Sequence, residues 1–328
     1  MMSKCLAYLF TIIFLFSCSG SNNKTEVILT ANEIINVSNS YSYTPPMSTS
    51  KDNCVSRSNE SYGSWHENFD STLDIANWSY DEGCNDNGGG CNGNNEAQNY
   101  TENDSENLFI ENGYLKIQPI FEENTGSDNV IQQYTSAKIM TKDKKIFSHP
   151  SRITVCFKVP EGTGMWPAIW MMPNSNVPWP TGGEIDLMEA RGRITESNII
   201  GSAIHFGNEW PNNKYIAQNT TSSIDNDFQN YFHSITFVWL ENKIDMYLDQ
   251  EEIPYFSINP YSVPLNQYSY PFNNQFYLIL NVAVGGHFDN YALESDHFCI
   301  DAQCSNYPDN PDKKRLLIDW IEYIPLTN

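Results

Sequence analysis

The chain has 328 residues and a net charge of -22, with 40 Asp and Glu against 18 Lys and Arg. That balance argues against nucleic acid and anionic membrane surfaces as partners and favours a neutral one. At 40% hydrophobic, with 19 Tyr, 17 Phe and 8 Trp, the chain can bury a sizeable core and is rich in strand formers and in flat faces that stack on sugars.

Residues 1–18 carry Lys4 and then an apolar run from Leu6 to Phe16, too short to cross a bilayer and typical of a signal peptide. The run ends Leu15-Phe16-Ser17-Cys18, which resembles the bacterial lipoprotein cleavage box. That resemblance implies a diacylated Cys18 as the first mature residue, membrane contact only through the lipid, and an exported protein held at the cell envelope, on the outer membrane or cell surface. Residues 19–62 are dominated by Ser, Asn, Thr and Lys, with Pro45-Pro46, and read as a flexible tether that buries little apolar surface. Residues 63–328 remain as one domain, a size that all-β sandwiches reach as single units.

Six cysteines follow Cys18, at 54, 84, 91, 156, 299 and 304, an even number suited to an oxidising compartment. Cys84 with Cys91 and Cys299 with Cys304 are close enough to close small loops; Cys54 with Cys156 follows only by elimination. None has metal-site spacing with His.

The domain opens at Trp65-His66-Glu67-Asn68-Phe69-Asp70, and residues 83–93 form a Gly/Asn loop. Leu108 to Ile120 reads as a hairpin with Asn112-Gly113 at its tip. Ile131 to Met140 and Ile153 to Pro160 alternate as strands. In Trp166-Pro167-Ala168-Ile169-Trp170 the alternation sets both Trp and Ala168 on one face; Pro167 removes a ladder donor, which predicts an edge or bulged position.

Residues 182–192 read Gly-Gly-Glu-Ile-Asp-Leu-Met-Glu-Ala-Arg-Gly. On a strand Glu184 and Asp186 share one face and Ile185 and Leu187 the other. Strict alternation would turn Glu189 to the apolar face, where an unpaired carboxylate costs several kcal/mol or stays protonated. A β-bulge around Leu187 and Met188 would re-aim it and line three carboxylates along one surface. An acidic strand edge in an acidic protein is the plain alternative. Downstream, His205 follows Ile204 and would face the same cleft, with Ser202 or Ala203 at its rim, and Trp210-Pro211 makes a rim loop. Phe232 to Leu248 gives two strands, Phe276 to Val284 is a strand buried on both sides, and Leu316 to Tyr323 closes a sheet. No long helical period or internal repeat is present.

The acidic stretch, Gly-Met-Trp-Pro-Ala-Ile-Trp-Met-Met-Pro at 164–173 and Ala-Ile-His-Phe-Gly at 203–207 together resemble glycoside hydrolase family 16, best its bacterial laminarinases. The resemblance runs from about Trp65 to Tyr323. It implies an all-β fold, a concanavalin-like jelly-roll sandwich of two antiparallel sheets with an open substrate groove, and a retaining endo-β-1,3-glucanase acting on a polysaccharide as a monomer. It assigns Glu184 as nucleophile, Glu189 as general acid and then base, and Asp186 as a partner sharing a proton or hydrogen bond with Glu184. Retention requires the two glutamate carboxyls about 5 to 5.5 Å apart. Arg191 beside Glu189 would lower its pKa, so it is expected to point away.

The same resemblance marks Asn95, Trp166, Trp170, His205 and Trp210 for substrate. No catalytic cofactor is implied. A structural calcium is, with Gly113 and Asp319 matching and Asn68 replacing a charged ligand, which weakens the site. Other departures are Lys138 where an Arg is common, Thr154 and Cys156 where Glu and Arg are usual, and Gly285-Gly286-His287-Phe288 for Gly-Gly-Asn-Trp, where Phe288 keeps a stacking face without an indole donor. The rivals are a galactanase acting on agar or carrageenan, often sulfated and a poor match for five Arg, and a non-catalytic sugar-binding jelly-roll, which need not keep both glutamates.

Overall fold

The strands follow the alternations in the sequence, because each lets one row of apolar side chains leave water. The computed structural model describes Cys54 and residues 64–85, 90–249 and 251–326. The signal peptide and the tether, Cys54 apart, lie outside the described residues.

One antiparallel sheet carries the acids. Its seven strands run, edge to edge, Asn213–Thr221, Ile199–Gly207, Glu184–Glu189, Met165–Pro173, Phe276–Val284, Lys138–Met140 and Ser79–Asp81. A second, eight-stranded sheet is ordered Phe256–Ile258, Lys243–Leu248, His233–Leu240, Ser151–Lys158, Leu316–Pro325, Tyr114–Ile117 and Leu108–Glu111, with Trp65–Glu67 also on Leu316–Pro325. The core lies between them: Ile169, Ile185, Leu187, Leu278 and Leu280 from the first meet Val155, Phe157, Ile235, Phe237 and Ile318 from the second, all fully buried. This is the jelly-roll sandwich, and helix among the described residues is confined to 3-10 turns of three or four residues.

The 108–120 hairpin forms with Asn112 and Gly113 both at positive φ, which the tight turn requires. Two expectations need correction. The 131–140 run is not one strand: Ile131–Ser136 joins a small three-stranded sheet, and after Ala137 the chain enters the acid-bearing sheet as Lys138–Met140. Pro167 lies in a central strand. It lies one residue beyond the pair of Ala168 with Glu189, its carbonyl takes the Ala190 N–H at 3.2 Å, and the neighbouring segment goes on to donate the Gly192 N–H to Met165 O at 2.8 Å, so the missing donor leaves one gap in a ladder that continues past it.

All three expected disulfides are present. Cys54–Cys156 ties residue 54 to the second sheet, at the position where the family resemblance expects an Arg.

Candidate active site

The acid-bearing strand is bulged where the sequence requires it. Against its neighbours, Asp186 pairs with Ala203 and Glu189 with Gly201, so Leu187 and Met188 together oppose Ser202 alone. The same shift appears on the other side, where Trp170 faces Asp186 and Ile169 faces Met188. Leu187 and Met188 both bury fully in the core, while Glu184, Asp186 and Glu189 share the groove face with His205, Ala203 and Gly201. Ala203 and Gly201 are small and leave room beside the carboxyls. Ser202 faces the core, so Ala203 is the rim residue.

Ser202 explains how the bulge is held. On a strand whose core side is otherwise Ile200, Ile204 and Phe206, its hydroxyl donates to Leu187 O at 2.6 Å and lies 2.5 Å from the Tyr255 hydroxyl. A bulge strips ladder partners from its own backbone, and this buried pair supplies one. Neither Ser202 as a bulge partner nor Tyr255 was legible in the sequence, because Ser202 meets Leu187 from 15 residues away and Tyr255 meets Ser202 from 53.

Each acid has its own partner. The Trp166 indole N–H donates to Glu189 Oε1 at 2.9 Å, the Trp179 indole N–H donates to Glu184 Oε2, and His205 Nε2 stands 3.3 Å from Asp186 Oδ2. Trp179 escaped the sequence reading, although Pro178-Trp179-Pro180 immediately before the Gly-Gly pair was a visible signal. Burial first, then the Asp186 charge, push Glu184 up to about 8, against the pull of His205 and the Trp179 N–H. Burial first, then Glu189, hold Asp186 well above the usual carboxylate range, with a hydrogen bond to Glu184 pulling the other way. Burial also raises Glu189, opposed by the Trp166 N–H, His205 and Arg191 in that order. Three carboxyls so placed do not all ionise at neutral pH; they titrate as a set and retain a proton, which an acid catalyst needs.

The other expected residues divide. Trp166, His205 and Glu189 line a groove of about 590 Å³ with Asn94, Arg191, Tyr215, His287 and Phe288. Trp170 is on the groove face but half-buried, its indole N–H held by Asn281 Oδ1 at 2.7 Å. Asn95 does not line that groove: its amide meets His287 Nε2 at 2.9 Å, and Asn94 is the lining residue, its own amide donating to Glu96 at 3.0 Å. Trp210 stands 65% exposed just past the end of the His205 strand and is not among the residues lining that groove. Arg191 turns to Phe288 O, Asp289 and Glu196, and its charge still pulls against the rise at Glu189.

Strand register makes the expected calcium positions backbone neighbours, Asn68 next to the Glu67–Ile321 pair and Asp319 next to the Ile318–Leu115 pair, one residue from Gly113. Asp319 is the single carboxylate among them, and calcium prefers several charged oxygens, so the set is a poor fit and no catalytic step passes through it. Two other groups bring ligand atoms within 4.8 Å of one another: Glu184, Asp186 and His205, and Glu294, Asp296 and His297. In the latter His297 Nδ1 accepts the Thr163 N–H at 3.0 Å, which leaves the proton of the neutral ring on Nε2 and no lone pair for a metal.

Residues 92–296 match the family model described as glycosyl hydrolases family 16. The chain is 38% identical over 236 residues to glucan endo-1,3-beta-glucosidase A1 of Niallia circulans, covering 69% of this chain and 34% of that protein; it thus spans about a third of that relative's length. It is 32% identical over 228 residues to the glucan endo-1,3-beta-glucosidase of Cryptopygus antarcticus, covering 68% of this chain and 80% of that one. The solved endo-beta-1,3-glucanase of Pyrococcus furiosus superposes with a TM-score of 0.69 at 30% identity, covering 80% of this chain and 94% of that one. With its acids on the groove face of such a sandwich and the matched segment spanning more than half its length, the chain belongs to glycosyl hydrolases family 16.

Proposed function

We propose that this protein is a retaining endo-glycosidase that hydrolyses β-1,3-glucan of the laminarin type. The observation that carries the reading is the bulge at Leu187 and Met188, which brings Glu184 and Glu189 onto one face of a groove floor. Two carboxylates there supply a nucleophile and an acid, the full requirement of a double displacement. Glu184 attacks the anomeric carbon while Glu189 protonates the leaving oxygen. Water, deprotonated by Glu189, then releases the sugar from Glu184. Asp186, hydrogen-bonded to Glu184, takes up the proton shared within the set and lets the nucleophile ionise when the cluster's charge falls. No cofactor enters these steps.

The β-1,3 linkage is supported by the names of the related glucanases. A neutral polymer is favoured over sulfated galactans because nearby cations are already paired: Arg191, in the groove lining, is held by Asp289 and Glu196, and Lys138, on the same sheet, by Asp81 and Asn92 Oδ1. Both carboxyl roles being filled favours catalysis over mere binding. Incubation with laminarin, lichenan, agarose and κ-carrageenan, followed by product sizing, tests the reading: a ladder of oligosaccharides from laminarin is expected, and products from agarose or κ-carrageenan alone would overturn it. The same reading includes a monomer, exported to the bacterial cell envelope and anchored through a lipid on Cys18, where a polymer too large to enter the cell is met.

A further inference from the structure

After the buried strand Phe276–Val284, Gly285 and Gly286 turn the chain at positive φ into a short 3-10 turn, His287–Asp289. Asp289 is nearly fully buried and clamps two arginines, Arg193 through Nε at 2.8 Å and Arg191 through Nε at 3.3 Å. Arg191 also donates from Nη2 and Nε to Phe288 O at 3.0 and 3.2 Å. These bonds bring its guanidinium carbon 4.5 Å from the centre of the Phe288 ring. The Trp166 indole lies parallel to the same ring, with centroids 4.6 Å apart and 12° between planes. Phe288 thus packs against both the guanidinium and the indole.

Phe288 is therefore held by two planar groups. A sugar stacking on this ring would have to compete with them for its faces. What it does touch is the residue that donates to Glu189.

We infer that Phe288 is a positioning residue for the acid catalyst: packed as a wedge against Arg191 and Trp166, it fixes the indole N–H on the Glu189 carboxyl instead of binding sugar. The inference rests on Glu189 being the general acid. Without the wedge, the indole gains rotational freedom, the Glu189 hydrogen bond is made only part of the time, and the carboxyl loses its aim at the leaving oxygen. A small misplacement of this kind lowers rate more than affinity.

The test uses leaving-group dependence, because a dinitrophenolate departs without a proton and a glucosyl alkoxide does not. The full chain and its variants F288A, F288L, F288Y and E189Q are compared by kcat/KM on a dinitrophenyl β-1,3-gluco-oligoside and by kcat and KM on laminarin. F288A and F288L are expected to lose about tenfold in kcat on laminarin with KM nearly unchanged, to keep near-wild-type kcat/KM on the aryl substrate, and to be rescued by F288Y, which restores a flat ring. Leucine fills volume without stacking, so it carries the comparison if the alanine variant folds poorly. A raised KM on laminarin with kcat intact, together with a matching fall in kcat/KM on the aryl substrate, would make Phe288 a sugar contact and overturn the inference. E189Q separates the two levels: if it shows no leaving-group dependence, the acid assignment itself fails. If E189Q shows it and neither F288A nor F288L does, only the wedge fails.

Discussion

Replacing Ser202 by Ala removes one hydroxyl from the core and tests what holds the bulge. In the structure that hydroxyl donates to Leu187 O at 2.6 Å, at a position that is fully buried, and contacts the Tyr255 hydroxyl behind it. Burial lifts the Tyr255 phenol above its ordinary range, so it remains a neutral donor and cannot discard its proton to compensate. The variant leaves a buried carbonyl short of a partner, a loss of about 1–3 kcal/mol. In a domain of this size, where each kcal/mol moves Tm by about 2 to 4 °C, that lowers Tm by roughly 2 to 12 °C. Because the bulge aims Glu189, kcat on laminarin should fall about tenfold or more while KM changes little. Tyr255→Phe, which leaves the Ser202 to Leu187 bond in place, should lose less on both counts. Thermal melting and steady-state kinetics on the same preparations make the comparison. A Ser202→Ala protein with wild-type kcat, whether or not its Tm falls, would refute the claim that this contact sets the position of the acid.

Glu184→Gln and Glu189→Gln should each fold and lose nearly all hydrolysis of laminarin, a drop of about 10² to 10⁴ or more; wild-type turnover by either would show the assignment to be wrong. Glu184→Gln should also melt no lower than wild type at pH 8. Its native carboxyl is raised to about 8, so wild-type stability from this group is present at low pH and is lost as pH rises toward that value, while Gln carries no charge to desolvate. Trp179→Phe removes an N–H that favours ionised Glu184, so the acidic limb of kcat/KM against pH should move upward; an unchanged or downward limb would contradict the contact. Cys18→Ser should release the protein from the membrane fraction or block its processing, and a wild-type protein found wholly soluble without lipid would end the anchoring proposal.

The bulge was readable from residues alone because the penalty for burying Glu189 is large and local: six consecutive residues contain the conflict and its solution. The sandwich was readable for a similar reason, since alternation repeats in strand after strand. What stayed hidden depends on residues far apart in sequence. Pro167 is tolerated in a central strand because the ladder closes around it, through the Ala190 N–H to its own carbonyl and the Gly192 N–H to Met165 O. Asn94 lines the groove where Asn95 was expected, because a backbone at positive φ turns the Asn95 amide toward His287. Phe288 packs against side chains 97 and 122 residues away. Trp170 was placed on the correct face, but its tie to Asn281, itself bonded to the Tyr100 hydroxyl, could not be seen before the strands were set side by side.

The central claim is that Glu184, brought level with Glu189 by the bulge, attacks the sugar and carries it covalently. A 2-deoxy-2-fluoro β-1,3-gluco-oligosyl fluoride, whose fluorine at C2 slows release of the intermediate more than its formation, provides the measurement: incubation with the wild-type protein, protease digestion and mass spectrometry of the labelled peptide. The account predicts one sugar per chain, attached at Glu184. A label on Glu189 or Asp186, or turnover of laminarin by a protein that never takes up the label, would contradict it.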